Sequence, residues 1–248
     1  MNDASAGPAA ESRHPSAELR RRVFAAVPLV AAALGLAYVG GPAFYAALAL
    51  VAAGMAYEWL RLSLGPTPSG RREPLLAVIG VLAIVAVGLA AGWVRGGPSD
   101  GRALAIWLFM VVWATDTGAY FVGRAIGGPR LWARLSPNKT WAGALGGLAT
   151  AAAIAIGIGH GVAVAGWTEG SAASARLAVA GLLAGLLAEA GDLLESAVKR
   201  RYMVKDSGRL IPGHGGLLDR LDGYAPAAVG LCLAVLISGG DDLLWVST

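Results

Sequence analysis

A helix needs about 20 apolar residues to cross the hydrocarbon core of a bilayer. Seven runs near that length occupy most of this sequence: 23–39, 43–60, 75–94, 103–122, 141–164, 177–198 and 224–246. They predict an all-α fold, a polytopic integral membrane helical bundle. The count is seven, with up to nine allowed because a long Ala/Gly run can hide a break. Only 15% of residues are charged, against roughly 25% in soluble domains. The 36 glycines suit a bundle in which small residues let helices approach closely.

The charges give the chain a direction. With the N-terminus inside, all but Arg95, Arg102 and Arg176 of the 20 Lys and Arg fall on inner segments, as the excess of basic residues in cytoplasmic loops requires. The net charge of +4 is accounted for in this way and calls for no nucleic acid. Three parts are expected: a basic, disordered cytoplasmic tail over 1–22, N-terminal membrane helices over 23–100, and a membrane region with the larger cytoplasmic loops over 101–248, where any catalytic groups are expected to lie. Arg20, Arg21 and Arg22 precede the first run. Further apolar runs follow at once, so that run is read as an uncleaved span. The single cysteine, Cys232, lies in an apolar run, which excludes an intramolecular disulfide and a cysteine metal cluster. Neither a Walker A pattern nor a Gly-x-Gly-x-x-Gly turn is present.

One polar stretch interrupts this pattern, from Asp192 to Gly223. It holds Lys199, Arg200, Arg201, Lys205, Arg209 and Arg220 among Asp192, Glu195, Asp206, Asp219 and Asp222. Asp192 falls within the sixth run, with Glu189 and Glu195 about one helical turn to either side. Ionisable groups at membrane depth face a protein interior or a water-filled cavity. Asp192, Ser196 and Lys199 share a helical face. Asp219 and Asp222 are spaced to lie on one side of a short helix. Gly213, His214, Gly215 and Gly216 precede them, a loop able to turn backbone N–H groups toward a phosphate. Carboxylates facing one another across a cavity suit Mg²⁺, and nearby Lys and Arg suit phosphates. Acids for a metal beside bases for phosphates fit a phosphoryl- or nucleotidyl-transfer site.

The stretch 196–222 reads Ser-Ala-Val-Lys-Arg-Arg-Tyr-Met-Val-Lys-Asp-Ser-Gly-Arg-Leu-Ile-Pro-Gly-His-Gly-Gly-Leu-Leu-Asp-Arg-Leu-Asp. It resembles, at every fixed position, the signature of the phosphatidate cytidylyltransferases, or CDP-diacylglycerol synthases. Asp116-Thr-Gly-Ala-Tyr-Phe-Val-Gly123 and Ser136-Pro-Asn-Lys-Thr140 resemble two further blocks of that family. One departure is Ala142, where family members often carry Glu.

The resemblance implies transfer of a cytidylyl group from CTP to phosphatidic acid, giving CDP-diacylglycerol and pyrophosphate. It implies a bacterial inner-membrane enzyme, homodimeric, in contact with membrane lipid. Asp192 and Asp219 would hold the metal, Mg²⁺ with a monovalent second cation such as K⁺ allowed, and Asp222 would support them. Asp192, Asp219, Lys199 and Arg220 are the expected catalytic residues. Ser196, Arg200, Lys205, His214, Gly215, Gly216, Asp116 and Lys139 are expected to bind substrate. Two rivals remain in view: a cytidylyltransferase for another lipid phosphate, and a proton-coupled transporter using the intramembrane acids. Outside the site, Glu58 is read as an interfacial charge, His160 as structural or interfacial, Asp241 and Asp242 as bland, and the tryptophans as interface anchors.

Overall fold

A computed structural model describes residues 15–167, 171–211, 215–239 and 244–246. Most of the expected tail, together with His214, Asp241 and Asp242, lies outside the described residues. Each of the seven apolar runs holds one helix: α1 (Pro15–Val39), α2 (Gly41–Leu64), α3 (Pro74–Gly96), α4 (Gly101–Ile126), α5 (Trp141–Val164), α6 (Ser174–Arg201) and α8 (Tyr224–Ser238). A single turn, α7 (Leu218–Leu221), precedes α8. Helices α2 to α6 are long and apolar enough to cross a membrane, and Val27–Val39 and Tyr224–Ser238 are shorter apolar helices. The chain is a multi-pass membrane protein.

Helix α1 begins at Pro15, inside the stretch 1–22 read as a disordered tail, and two further segments differ from the sequence expectation. The basic segment after α4 is not a plain loop. It forms an antiparallel hairpin of β1 (Arg130–Trp132) and β2 (Ser136–Thr140). The last run does not continue as helix to 246. Gly239 takes the left-handed conformation (φ 84°) and its N–H bonds to Val235 O, a helix stop that glycine adopts without steric cost. Beyond it, β4 (Trp245–Val246) pairs with β3 (Ser171–Ala172), the short strand before α6.

Helix α4 is the spine of the bundle. Trp107, Leu108 and Val111 on it are fully buried, and Trp107 Nε1 donates to Ala155 O on α5 at 3.0 Å. The indole therefore belongs to the core and not to the membrane interface. Helices α4, α5 and α6 meet through small residues. A Cβ on Gly143 would lie 2.9 Å from Ala119 O, and one on Gly181 would collide with Ala155 Cβ. Backbone contact of this kind is how helices associate where lipid is as apolar as leucine. Leu50, Leu82, Leu89 and Ile237 point away from the bundle, exposed, as side chains facing lipid would be.

Polar ties fix the ends. Where α3 ends, Arg95 donates from Nε to Ala37 O and from Nη2 to Tyr38 O at 3.1 Å, satisfying carbonyls at the end of α1. At the opposite end, Arg201 makes a two-pronged contact with Glu73 (Nε to Oε2, 2.9 Å; Nη2 to Oε1, 2.7 Å). Tyr202 O–H donates to the same carboxylate at 3.1 Å. This joins the end of α6 to the start of α3. Trp59 Nε1 donates to Leu76 O and Ala77 O, and its ring meets Tyr202 edge-on. The hairpin, α7 and the loop after α6 gather at this end.

Candidate active site

A cleft of about 770 Å³ opens at that end between α4, α5, α6, α7 and the hairpin. Its wall on α6 carries Glu189, Asp192, Glu195 and Lys199, residues three and four apart and therefore on one helical face. Asp116 comes from α4, Asn138, Lys139 and Thr140 from β2, and Asp206, Asp219, Arg220 and Asp222 from the loop and α7. Thr140 ends the strand and caps α5, its Oγ1 accepting from Gly143 N at 3.0 Å. The cap sets the angle at which β2 delivers Lys139.

The charges form one ion pair and one group of three. Lys139 Nζ lies 2.5 Å from Asp192 Oδ2. Lys199 Nζ lies 2.5 Å from Glu195 Oε2 and 3.2 Å from Asp219 Oδ1. Asp192, Glu195 and Asp222 each offer an oxygen within 4.8 Å of the others. Among the described residues, the buried Glu195 Oε1 has no hydrogen-bond partner. Three hard oxygen donors at this separation, one of them unsatisfied, fit a cation that prefers oxygen ligands. The cluster could therefore hold a metal ion.

Asp219 is adjacent but held differently. Ser207 N donates to its Oδ1 at 3.2 Å and its Oδ2 at 3.0 Å, and Gly216 N donates to Oδ2 at 2.9 Å. Burial pushes its carboxyl upward. Contact with Glu195, the two amides and the Lys199 charge outweigh that and hold it down at about 2. Asp222 is the opposite case. Burial first, then the charges of Asp192 and Asp116, push it up to about 7 against the Gly223 amide and Lys199. The same residue type thus has one firmly ionised carboxylate and one that carries its charge at a cost. An added cation would relieve that cost.

Of the residues singled out in the sequence, Asp116, Lys139, Asp192, Lys199, Asp219, Arg220 and Asp222 line the cleft. Ser196, Arg200 and Lys205 are not among its lining residues. Arg200 Nε instead donates to Leu135 O at 3.3 Å, steadying the hairpin. Gly216 backs Asp219, and Gly215 (φ 85°) closes the turn to Ile211. Glu195, not among the candidate ligands read from the sequence, joins Asp192 and Asp222 in the acidic cluster, and its i, i+3 spacing from Asp192 was a usable signal.

Glu58 requires correction. It is not an interfacial charge, being 1% exposed. It lies beneath the loop, with Oε2 accepting from Leu218 N at 3.1 Å and Ser207 Oγ at 3.4 Å. No sequence signal pairs a glutamate in the second apolar run with a loop some 150 residues later.

Comparisons with known proteins give the chain's family. The sequence model of the family described as "Cytidylyltransferase family" matches residues 68–238. The phosphatidate cytidylyltransferase of Brucella abortus biovar 1 (strain 9-941) is 36% identical, the alignment covering 91% of this chain and 96% of that protein. Its namesake in Brucella suis biovar 1 (strain 1330) is 37% identical over 87% of this chain and 92% of its own. That of Staphylococcus haemolyticus (strain JCSC1435) is 34% identical over 68% and 63%. The matched region takes in the hairpin, α6 and the loop that build the cleft, and the chain belongs to the cytidylyltransferase family.

Proposed function

We propose that the protein transfers the cytidylyl group of CTP to phosphatidic acid, releasing pyrophosphate and leaving CDP-diacylglycerol in the membrane. The observation that carries this reading is the cleft itself. A carboxylate cluster and two lysines stand at one end of a membrane bundle, within a chain closely related to proteins named for this reaction. In the step, an oxygen of the lipid phosphate attacks the α-phosphorus of CTP. The bond from that phosphorus to the oxygen bridging the β-phosphorus breaks, and pyrophosphate departs with the bond's electrons. A phosphate monoester is largely dianionic near neutral pH, so no strong base is needed. Alignment and charge neutralisation provide the catalysis.

Asp192, Glu195 and Asp222 are the residues that would hold Mg²⁺, with Asp219 beside them. Bound there, the cation would supply charge neutralisation to the phosphates in flight and to the leaving pyrophosphate. Lys139 and Lys199 orient the acids in the resting protein and are placed to meet phosphate oxygens. Arg220 lies on the cleft wall beside them. Ser196, Arg200, Lys205, His214 and the adjoining glycines remain assigned to substrate binding by resemblance. A second, monovalent cation and a homodimer are expected on the same ground. The excess of Lys and Arg on one set of loops supports an inner-membrane protein with its N-terminus and cleft on the cytoplasmic side. CTP is available there, and the lipid arrives laterally.

The test uses the purified full chain in detergent with labelled CTP, phosphatidic acid and Mg²⁺, beside Asp219→Asn. Labelled CDP-diacylglycerol from the wild type and a loss of about a hundredfold or more in the variant are expected. A folded wild type that makes no product from phosphatidic acid would overturn the reading. Product from another lipid phosphate alone would reassign the substrate.

A further inference from the structure

Glu58 has no place in the reaction described above, yet it is among the most deeply buried side chains of the protein. A carboxylate removed from water is costly unless hydrogen bonds compensate it. Two do so here, and both come from the loop that presents Asp219 and Arg220. Leu218 N, at the start of α7, and Ser207 Oγ donate to Oε2, while Oε1 has no hydrogen-bond partner among the described residues. Ser207 is itself buried and its own N–H donates to Asp219. Gly216 N donates to Asp219 from the other side.

The two limbs of the loop, 206–208 and 215–218, are therefore joined twice: by Asp219 toward the cleft, and by Glu58 from behind. The glycines agree with this arrangement. A Cβ at Gly208 would collide with Glu58 Oε1, and one at Gly216 would crowd both Ser207 Oγ and Glu58 Oε2. Both limbs thus lie against the carboxylate with their backbones.

We infer that Glu58 is a positioning residue. Helix α2 reaches under the catalytic loop, and the Glu58 carboxylate clamps its two limbs so that the Ser207 and Gly216 amides hold Asp219 in place. The inference rests on the proposed reaction for its kinetic test and on geometry alone for its structural one. Gln keeps an acceptor oxygen at the same reach, Asp is one methylene too short, and Ala has no acceptor.

The experiment compares wild type, Glu58→Gln, Glu58→Asp and Glu58→Ala in detergent. It reads kcat and KM for CTP per folded protein, with amide hydrogen exchange over 206–211 and 215–220. Glu58→Ala and Glu58→Asp are expected to lose kcat by about a hundredfold, the scale of a misplaced catalytic group, with KM for CTP within about threefold. Glu58→Gln should stay within about tenfold of wild type in kcat. Exchange at Ser207 and Gly216 should quicken in Ala and Asp while α4 and α5 are unchanged. A purely structural role would lower thermal stability and leave kcat of the folded fraction intact, overturning the inference. Equal damage in Gln and Ala would overturn the acceptor role. Should the wild type prove inactive, the reaction falls, and the exchange measurement alone decides the clamp: unaltered exchange in Ala and Asp overturns it.

Discussion

Lys139 Nζ stands 2.5 Å from Asp192 Oδ2, bringing the end of β2, just before α5, against an acid in the cleft-side half of a membrane-spanning helix. The pair closes one side of the cleft. It keeps Asp192 from being an isolated charge at a depth where such charges are costly.

Replacing Lys139 by Met keeps the aliphatic stem and removes the ammonium. Asp192 then loses its partner, and the phosphates lose a cation. The expected loss in kcat/KM is on the order of a hundredfold, measured as CDP-diacylglycerol formation at several CTP concentrations. Lys139→Arg keeps the charge and should recover part of that loss. Equal activity in Lys139→Met and wild type would remove this residue from the site.

The carboxylate cluster makes a prediction about metal. Chelation should abolish activity, and Mg²⁺ should restore it. In Asp192→Asn and Asp222→Asn one charged oxygen donor is lost, so the Mg²⁺ concentration for half-activity should rise by about tenfold or more, the scale on which metal sites respond to lost support. Glu195→Gln should behave the same way if the three acids act as one set. Titration of activity against free Mg²⁺ for these three variants and Asp219→Asn checks this. A normal Mg²⁺ requirement in Glu195→Gln with a raised one in Asp219→Asn would return the ligand set to the one expected from resemblance.

The helices were legible because membrane depth imposes length, and length is visible as apolar runs. Both ends of α5 coincide with the run at 141–164. Where length ceased to be the constraint, reading failed. The stop at Gly239 was marked in the sequence, where Gly239-Gly240-Asp241-Asp242 interrupts the run with a turn signal, but counting 224–246 as one apolar span passed over it. The hairpin escaped notice because Pro129, Arg130 and Pro137 break any alternation of apolar and polar residues. In the site, spacing on α6 placed Asp192 and Lys199 on one face. Partners across the fold were invisible: the Ser207 and Gly216 amides on Asp219, and Glu58 behind them, follow from how two loop limbs meet.

The tie between Glu73 and Arg201 carries a pH dependence. The Arg201 hydrogen bond, opposed by desolvation and helped by Tyr202, holds the Glu73 carboxyl below its usual range. A group whose pKa is depressed by folding stabilises above its unfolded value, about 4.3, and loses that contribution as pH falls through the folded value. Glu73→Gln should therefore lower the thermal midpoint at pH 7. The gap from wild type should close as pH is taken below about 4, and be smaller in high salt. A gap independent of pH would show that packing of α3, and not the ion pair, is at stake.

Gly181 tests the packing that holds the cleft's walls together. Its Cα faces α5 so closely that an added Cβ would collide with Ala155 Cβ and come within 2.9 Å of Ala151 O. Neither is the end of a flexible side chain, so the helices must separate. Overpacking of this kind costs about 1–3 kcal/mol, and Gly181→Val adds more bulk than Gly181→Ala. Thermal midpoints in detergent should fall in the order wild type, Ala, Val. Gly157 is a control on the neighbouring helix, since a Cβ there meets nothing within 4 Å. Gly157→Ala should hold or raise the midpoint, because alanine loses less backbone entropy in a helix. Activity should follow the Gly181 series only weakly, since the acids of α6 lie toward its other end. A Gly181→Val protein as stable as wild type would mean that α5 and α6 do not pack through this contact in the membrane.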